Sequence, residues 1–200
     1  MLRNITLTKI YPSVFYVPNQ APSIRSKPFL AAMTTPTNLI LNRKQTLQKI
    51  KRIAFEIYEN NFAEEEVILA GIYDKGYHFA QLLRTELNAL SPLRSQLVKV
   101  SLDKRSPRQG PVELDCPPER LQDKCIVLTD DVLNTGRTLV YSLKPFLDLE
   151  IKKLQTAVLV DRNHKLFPVS ADYVGYALST TINEHVEVVL EEDAFGVYLH

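Results

Sequence analysis

Cys125-Ile126-Val127-Leu128-Thr129-Asp130-Asp131-Val132-Leu133-Asn134-Thr135-Gly136-Arg137-Thr138 is the stretch from which the fold is read. Cys125 to Thr129 is a short apolar run with β-branched residues, the pattern of a strand buried on both faces. Asp130 and Asp131 end that run. Asn134 to Thr138 makes a tight turn, and Leu139, Leu143 and Leu147 follow at helical spacing. Strand, turn and helix in that order gather the turn's amides and the helix N-terminus at one point, which suits a phosphate. Gly136 allows close approach of the backbone and a positive φ without strain. The hydroxyls of Thr135 and Thr138 add donors for phosphate oxygens. Two carboxylates at the C-terminal end of a strand lie where open α/β sheets bind ligands. They repel phosphate, yet they accept hydrogen bonds from vicinal hydroxyls or help to position Mg2+. Acids first and phosphate cradle next describe a pocket for a sugar with a terminal phosphate.

Val127 to Thr138 resembles the phosphoribosyl-pyrophosphate (PRPP) motif of the type I phosphoribosyltransferases. The resemblance implies that Asn134, Thr135, Gly136, Arg137 and Thr138 hold the 5-phosphate of PRPP. It implies that Asp130 and Asp131 hold the ribose hydroxyls and assist catalysis, with Mg2+ near the same two acids, directly or through ribose hydroxyls or water.

Composition bounds the rest. Two hundred residues suit one α/β domain with some extra chain. No apolar stretch approaches the length that spans a membrane. Cys116 and Cys125 show neither metal-ligand spacing nor a disulfide framework, and a reducing cytoplasm fits them. The four histidines, His78, His164, His185 and His200, are also without metal spacing. Charge is uneven: residues 1–55 hold nine of the 24 Lys and Arg and none of the 23 Asp and Glu. The first 36 residues carry five prolines and keep no helical or strand period for long. Residues 1–38 are therefore expected to form a poorly ordered or non-native extension, with the domain in 39–200.

Along the domain, Leu39 to Leu41 is a candidate short strand. Arg43 to Asn60 is a helix by the recurrence of Leu47, Ile50, Ala54 and Ile57. Val67 to Ile72 is a buried strand. Tyr73-Asp74-Lys75-Gly76 then turns into a helix through Leu90, a second strand–turn–helix. In the resembling family this turn is the pyrophosphate loop, so Tyr73, Asp74, Lys75 and Gly76 are candidate ligands of the diphosphate. Gln96 to Leu102 is a strand. The long, polar Ser101 to Pro118 reads as a lid, with Lys104, Arg105 and Arg108 able to reach pyrophosphate oxygens on closure and Arg105 the catalytic candidate among them. Leu154 to Val160, Ala171 to Tyr176 and Val186 to Leu190 are further strands. Strands alternating with helices predict an α/β fold with a mostly parallel central sheet flanked by helices, and the resemblance adds a small hood.

From about Leu39 onward the chain is most similar to the branch containing the bifunctional pyrimidine operon regulator/uracil phosphoribosyltransferase. Leu159-Val160-Asp161-Arg162, Ala171-Asp172-Tyr173-Val174-Gly175 and the closing Val197-Tyr198 carry that likeness beside the main motif. It implies a nucleobase substrate, uracil first, with a base pocket drawn from Asp161, Arg162, Ile182 and Asn183, and a homo-oligomeric assembly. Purine enzymes of the family carry an Asp where Asn134 stands, as a proton acceptor, and an amide cannot fill that role. Several basic or His positions of the regulator's RNA surface are replaced here, by Phe55, Asn60, Ser170 and Tyr176, and losing phosphate contacts weakens RNA affinity. The alternatives are a nucleotide-responsive RNA-binding regulator of pyrimidine genes and a non-catalytic phosphosugar-binding paralogue.

Overall fold

Runs that are apolar on both faces have no stable place except between two layers, and here they form the centre of a sheet. The computed structural model describes residues 38–103, 110–181 and 183–200. The expected extension, Asn38 apart, lies outside these residues, as do Lys104, Arg105, Arg108 and Ile182. In chain order the elements are β1 (Leu39–Asn42), α1 (Arg43–Asn60), β2 (Glu66–Ile72), α2 (Lys75–Leu90), β3 (Arg94–Ser101) and β4 (Glu113–Leu114). They continue with β5 (Cys125–Leu133), α3 (Arg137–Leu147), β6 (Lys153–Asp161), β7 (Tyr173–Ala177), β8 (Val186–Val189) and β9 (Gly196–Leu199).

The main sheet has the order β4-β3-β2-β5-β6-β7. Its neighbours are parallel except β3 and β4. In its middle, Leu69 lies opposite both Leu97 and Val127. The chain winds outward from β2 to β3, then returns to the other side of β2 with β5, β6 and β7. The strand order therefore reverses between β2 and β5, and such a switch point opens a crevice at the strands' C-terminal ends.

Alternation along the strands divides the core. Val67, Leu69 and Val127 meet Ile50, Ile53, Phe79 and Leu83 of α1 and α2 on one face. Ile68, Ile126 and Leu128 meet Leu139 and Phe146 of α3 on the other. Asn42 ends β1 and starts α1 in the same step: its side chain accepts from the Gln45 N–H at 3.0 Å while the Gln45 side chain accepts from the Asn42 N–H at 3.0 Å. A separate antiparallel sheet, β1-β9-β8, forms the small hood.

Four sequence expectations change. Asp130 and Asp131 do not end their strand, because β5 runs on to Leu133; β6 extends equally far and pairs Val158 with Asp130 and Asp161 with Leu133. Lys75 and Gly76 are the first residues of α2 rather than part of a turn. The stretch Ser101 to Pro118 is not all loop, since Glu113 and Leu114 fold back to pair with Ser101 and Val100. On α3 the buried residues are Leu139, Ser142 and Phe146, and Leu147 is 72% exposed. Among the described residues no helix is long and apolar enough to cross a membrane.

Candidate active site

The crevice between β2 and β5 is closed at its base by a single close approach. A Cβ on Gly76 would stand 2.7 Å from the Thr129 carbonyl oxygen and 2.9 Å from the Asp130 Cα, so only glycine lets the first turn of α2 touch the end of β5. The buried Thr129 hydroxyl donates to the Gly76 carbonyl at 2.9 Å and fixes that contact. Tyr73 to Gly76 is thereby held beside Asp130. The Tyr73 N–H donates to the Val100 carbonyl at 2.9 Å, and the Tyr73–Asp74 peptide bond is cis. The Lys75 ammonium lies 3.5 Å from Glu187 of the hood. Asp74 leaves α2 without a side-chain cap, and its carboxylate is 3.7 Å from His78.

Beyond β5 the chain bends around a cavity of about 110 Å3 lined by Asp130, Asn134, Thr135, Gly136 and Thr138, with Val132, Leu133, Leu139 and Val158 as its apolar wall. That is small beside the roughly 300–1,000 Å3 of a whole small-molecule site, and it suits the charged tail of a larger ligand. Gly136 has φ +82°, the left-handed conformation expected of it. It starts α3 without a side-chain cap. The first helical bond runs from the Val140 N–H to the Gly136 carbonyl, so the earlier amides of the turn precede the helical ladder. The Thr135 hydroxyl oxygen accepts from the Arg137 N–H at 3.3 Å and keeps its own proton for a ligand. The Thr135 carbonyl accepts from Leu166 and Phe167 at 2.9 and 3.1 Å, which braces the bend from outside. The Arg137 guanidinium sits over the Phe167 ring, 6.0 Å from its centre.

Asp130 is 5% exposed, and one of its carboxylate oxygens accepts from the Asp131 N–H at 3.1 Å. Adjacent strand residues face opposite ways. Asp130 therefore shares the cavity with the threonine bend, whereas half-buried Asp131 does not line it and belongs to the side carrying α1 and α2. Among the described residues no group of three or more His, Cys, Asp or Glu could hold a metal by itself. One or two carboxylates beside a phosphorylated ligand are the ordinary donor set for Mg2+, so Asp130, which lines the cavity, fits an ion completed by ligand oxygens.

The base-pocket candidates separate. Asp161 is 5% exposed and is used locally: it accepts from the Asn163 N–H at 2.8 Å and pairs with Lys165 at 3.0 Å. Arg162, also 5% exposed, spans the site. It donates to the Asn134 Oδ1 at 3.1 Å, to the Thr180 hydroxyl at 2.7 Å and to the carbonyls of Thr181 and Glu184. Asn183 is an exposed turn residue of the same segment. Thr181 donates its N–H to the Glu184 carboxylate at 2.6 Å. That bond, with the Thr181 hydroxyl and then Arg162, holds the Glu184 carboxyl below the usual range. Neither thiol is activated. Burial and then Asp115 push Cys116 up, and burial and then Glu64 push Cys125 up. Sequence reasoning missed the bracing role of Thr129, although it lies within the motif, and missed the loop residues Phe167 and Val169, which carry no motif.

The phosphoribosyl transferase domain profile matches residues 37–193. The chain belongs to that family. Curated relatives in the phosphoribosyltransferase family include the Bifunctional protein PyrR of Deinococcus radiodurans, 36% identical over 173 residues, which are 80% of this chain and 91% of that protein. The Bifunctional protein PyrR of Bacillus pumilus is 34% identical over 163 residues, 77% of this chain and 91% of that protein. Among solved structures, the hypoxanthine phosphoribosyltransferase of Trypanosoma cruzi superposes with a TM-score of 0.67 at 16% identity, covering 81% of this chain and 95% of that one. A hypoxanthine-guanine phosphoribosyltransferase of Bacillus anthracis gives 0.61 at 18% identity, over 72% and 84% of the two chains. The fold is that of the type I phosphoribosyltransferases, with a parallel sheet flanked by helices.

Proposed function

We propose that the protein transfers a phosphoribosyl group from PRPP to uracil, releasing pyrophosphate and forming UMP. The observation that carries this reading is Asp130, which lines one cavity with the Gly136 bend and touches Gly76 of the second strand–turn–helix. A pentose between them would have its 5-phosphate on the amides and hydroxyls of Thr135 to Thr138. Its secondary hydroxyls would reach Asp130 and, from the other face, Asp131. Its diphosphate would lie toward Tyr73 to Gly76. Bound Mg2+ would supply neutralising charge for the diphosphate. The chain's own part is positioning and electrostatic stabilisation as C1 gains oxocarbenium character, with no strong base required. Uracil is favoured over purines because Asn134 cannot accept a proton. Two unpaired thiols, both pushed up, suit a reducing cytoplasm.

The test is to incubate the protein with Mg2+, PRPP and each common base, and to assay nucleotide and pyrophosphate. UMP from uracil is expected, with no product from hypoxanthine or guanine; product from a purine and none from uracil removes the reading. The double variant Asp130→Asn, Asp131→Asn is expected to weaken PRPP binding at least about a hundredfold, since two charge-assisted bonds to hydroxyls are lost at roughly 1.5–3 kcal/mol each. Lys75 turned to Glu187 favours one alternative, a phosphosugar-binding protein without turnover. Tight PRPP binding with no product from any base would establish it. A gel shift on pyrimidine leader RNA at stated salt tests the RNA-regulator reading. The basic Arg52 of α1 is already engaged by Glu56 and the carbonyls of Val174 and Gly175, which speaks against it.

A further inference from the structure

The bend at Thr135 and Gly136 takes its shape from a neighbouring loop. The Thr135 carbonyl accepts from the Leu166 and Phe167 N–H groups at 2.9 and 3.1 Å, and Val169 and Phe167 close the space beside Gly136. Leu166, Phe167 and Val169 all follow the end of β6, where Asp161 stands opposite Leu133. Asp161 shapes the start of that loop with both of its oxygens. One accepts from the Asn163 N–H at 2.8 Å, a turn that fixes Asn163 at φ +53°. The other lies 3.0 Å from the Lys165 ammonium, one residue before Leu166. The Asp161 side chain is 8% exposed and that of Lys165 28%, so the pair is screened less than one at the surface. Phe167 carries the hold onward to α3. Its ring takes the Arg137 guanidinium 6.0 Å from its centre and meets the Tyr141 ring edge to face at 6.3 Å. Asp161 does not line the cavity itself, and its bonds lead there through Lys165, Leu166 and Phe167.

We propose that Asp161 is a positioning residue for the 5-phosphate rather than a contact for the base: with Lys165 it sets the loop after β6 that holds the bend in place. The inference rests on the proposed function and gives one of its residues a different task. When the Lys165 bond is lost, Leu166 and Phe167 are free to draw back from the Thr135 carbonyl. The amides and hydroxyls that face the anion then lose their alignment, and stabilisation by preset donors falls with it. That loss is felt by any ligand carrying the phosphate, whether or not it carries a base.

Three ligands separate the roles. Ribose 5-phosphate has the phosphate without a base, UMP has both, and pyrophosphate has neither the pentose nor the base. Each is titrated calorimetrically into the full chain in Mg2+. Asp161→Asn keeps the size of the side chain and an acceptor for the Asn163 N–H, but gives up the charge that holds Lys165. It is expected to weaken ribose 5-phosphate and UMP by the same factor, about five- to thirtyfold, the scale on which a residue acts through its neighbours. Pyrophosphate, which the reading places at the first turn of α2, should stay within about twofold. Lys165→Met breaks the same bond from its more exposed end, should give the same pattern, and carries the test if Asp161→Asn does not fold. The double variant should be no more than about twofold worse than the weaker single, because both changes act on one bond. UMP weakened with ribose 5-phosphate unmoved would put Asp161 on the base and overturn the inference. An equal fall in all three ligands would reduce Asp161 to general support of the fold and overturn it too, as would unmoved affinities in the variants. In each of these outcomes, a parent that binds ribose 5-phosphate and UMP leaves the phosphoribosyltransferase reading standing. A parent that binds none of the three overturns both.

Discussion

At the scale of single residues, the site depends on side chains that are absent as much as on those present. Gly136 combines φ +82° with a neighbour, the Val169 Cγ1, that would stand 2.6 Å from any Cβ. Left-handed backbone costs an L-residue roughly 1–2 kcal/mol, and forcing extra volume into a packed position costs about 1–3 more. Gly136→Ala is therefore expected to lose about 2–5 kcal/mol of stability, a Tm drop of roughly 4–20 °C in a domain of this size. Ribose 5-phosphate affinity should fall at least about tenfold, because the amides that face the anion move with the bend. Gly110 has nothing within 4 Å of its would-be Cβ and no positive φ, so Gly110→Ala is the control and should melt close to the parent. Equal melting of the two variants would show that the bend is not held by Val169. The conformation of Gly136 was legible in the sequence, because a phosphate turn between a strand and a helix needs such a residue. The engagement of Asn134 by Arg162 was not legible, since the two residues and Thr180 meet only once β5 and β6 pair.

At the scale of elements, one buried hydrogen bond staples the two strand–turn–helix units together. Thr129→Val keeps the shape of the side chain, removes the hydroxyl and leaves the Gly76 carbonyl without its 2.9 Å donor. An unpaired buried acceptor costs about 1–3 kcal/mol. The damage falls on the first turn of α2, so pyrophosphate affinity should drop by a larger factor than ribose 5-phosphate affinity, which depends on α3. Calorimetry with each ligand alone checks this, and equal losses would mean that the bond serves the whole sheet rather than the pyrophosphate side. The helix Arg43–Asn60 and the central strands were readable because each carries its own period or apolar run. Tertiary partners decided the rest. β6 draws the two acids into the ladder of β5, against the rule that charge ends a buried strand. β4 exists because Glu113 and Leu114 find the free edge of β3. β9 is too short and too near the acidic turn to declare itself until β1 and β8 flank it.

For the molecule as a whole, acid and truncation each probe what closes the fold. Glu66, at the foot of β2, meets Lys124 at 3.1 Å and is also bonded by Gln96 of β3. Burial pushes its carboxyl up, but the Gln96 amide, the Lys124 ammonium and Arg94 outweigh burial and hold it below the usual range. A depressed folded pKa contributes stability that is fully present above the unfolded value, near 4.3, and is lost as pH falls through the lower folded value. Glu66→Gln should therefore melt below the parent at pH 7, and the gap should close as the pH falls below about 4; a constant gap would refute the assignment. Truncation asks whether 39–200 is self-sufficient. Among the described residues, both core layers and every strand of both sheets lie within it. The cut must spare Asn38, whose carbonyl accepts from the Leu199 N–H at 2.8 Å and whose side chain lies 3.3 Å from the His200 ring nitrogen, since these bonds close the edge of the hood. Deleting residues 1–36 is therefore expected to shift Tm by less than about 3 °C, below 1 kcal/mol or so at this size. UMP and ribose 5-phosphate affinities should stay within about twofold. If instead the shortened chain melts far lower, or loses UMP while keeping ribose 5-phosphate, the N-terminal segment belongs to the domain and supports the hood over the base.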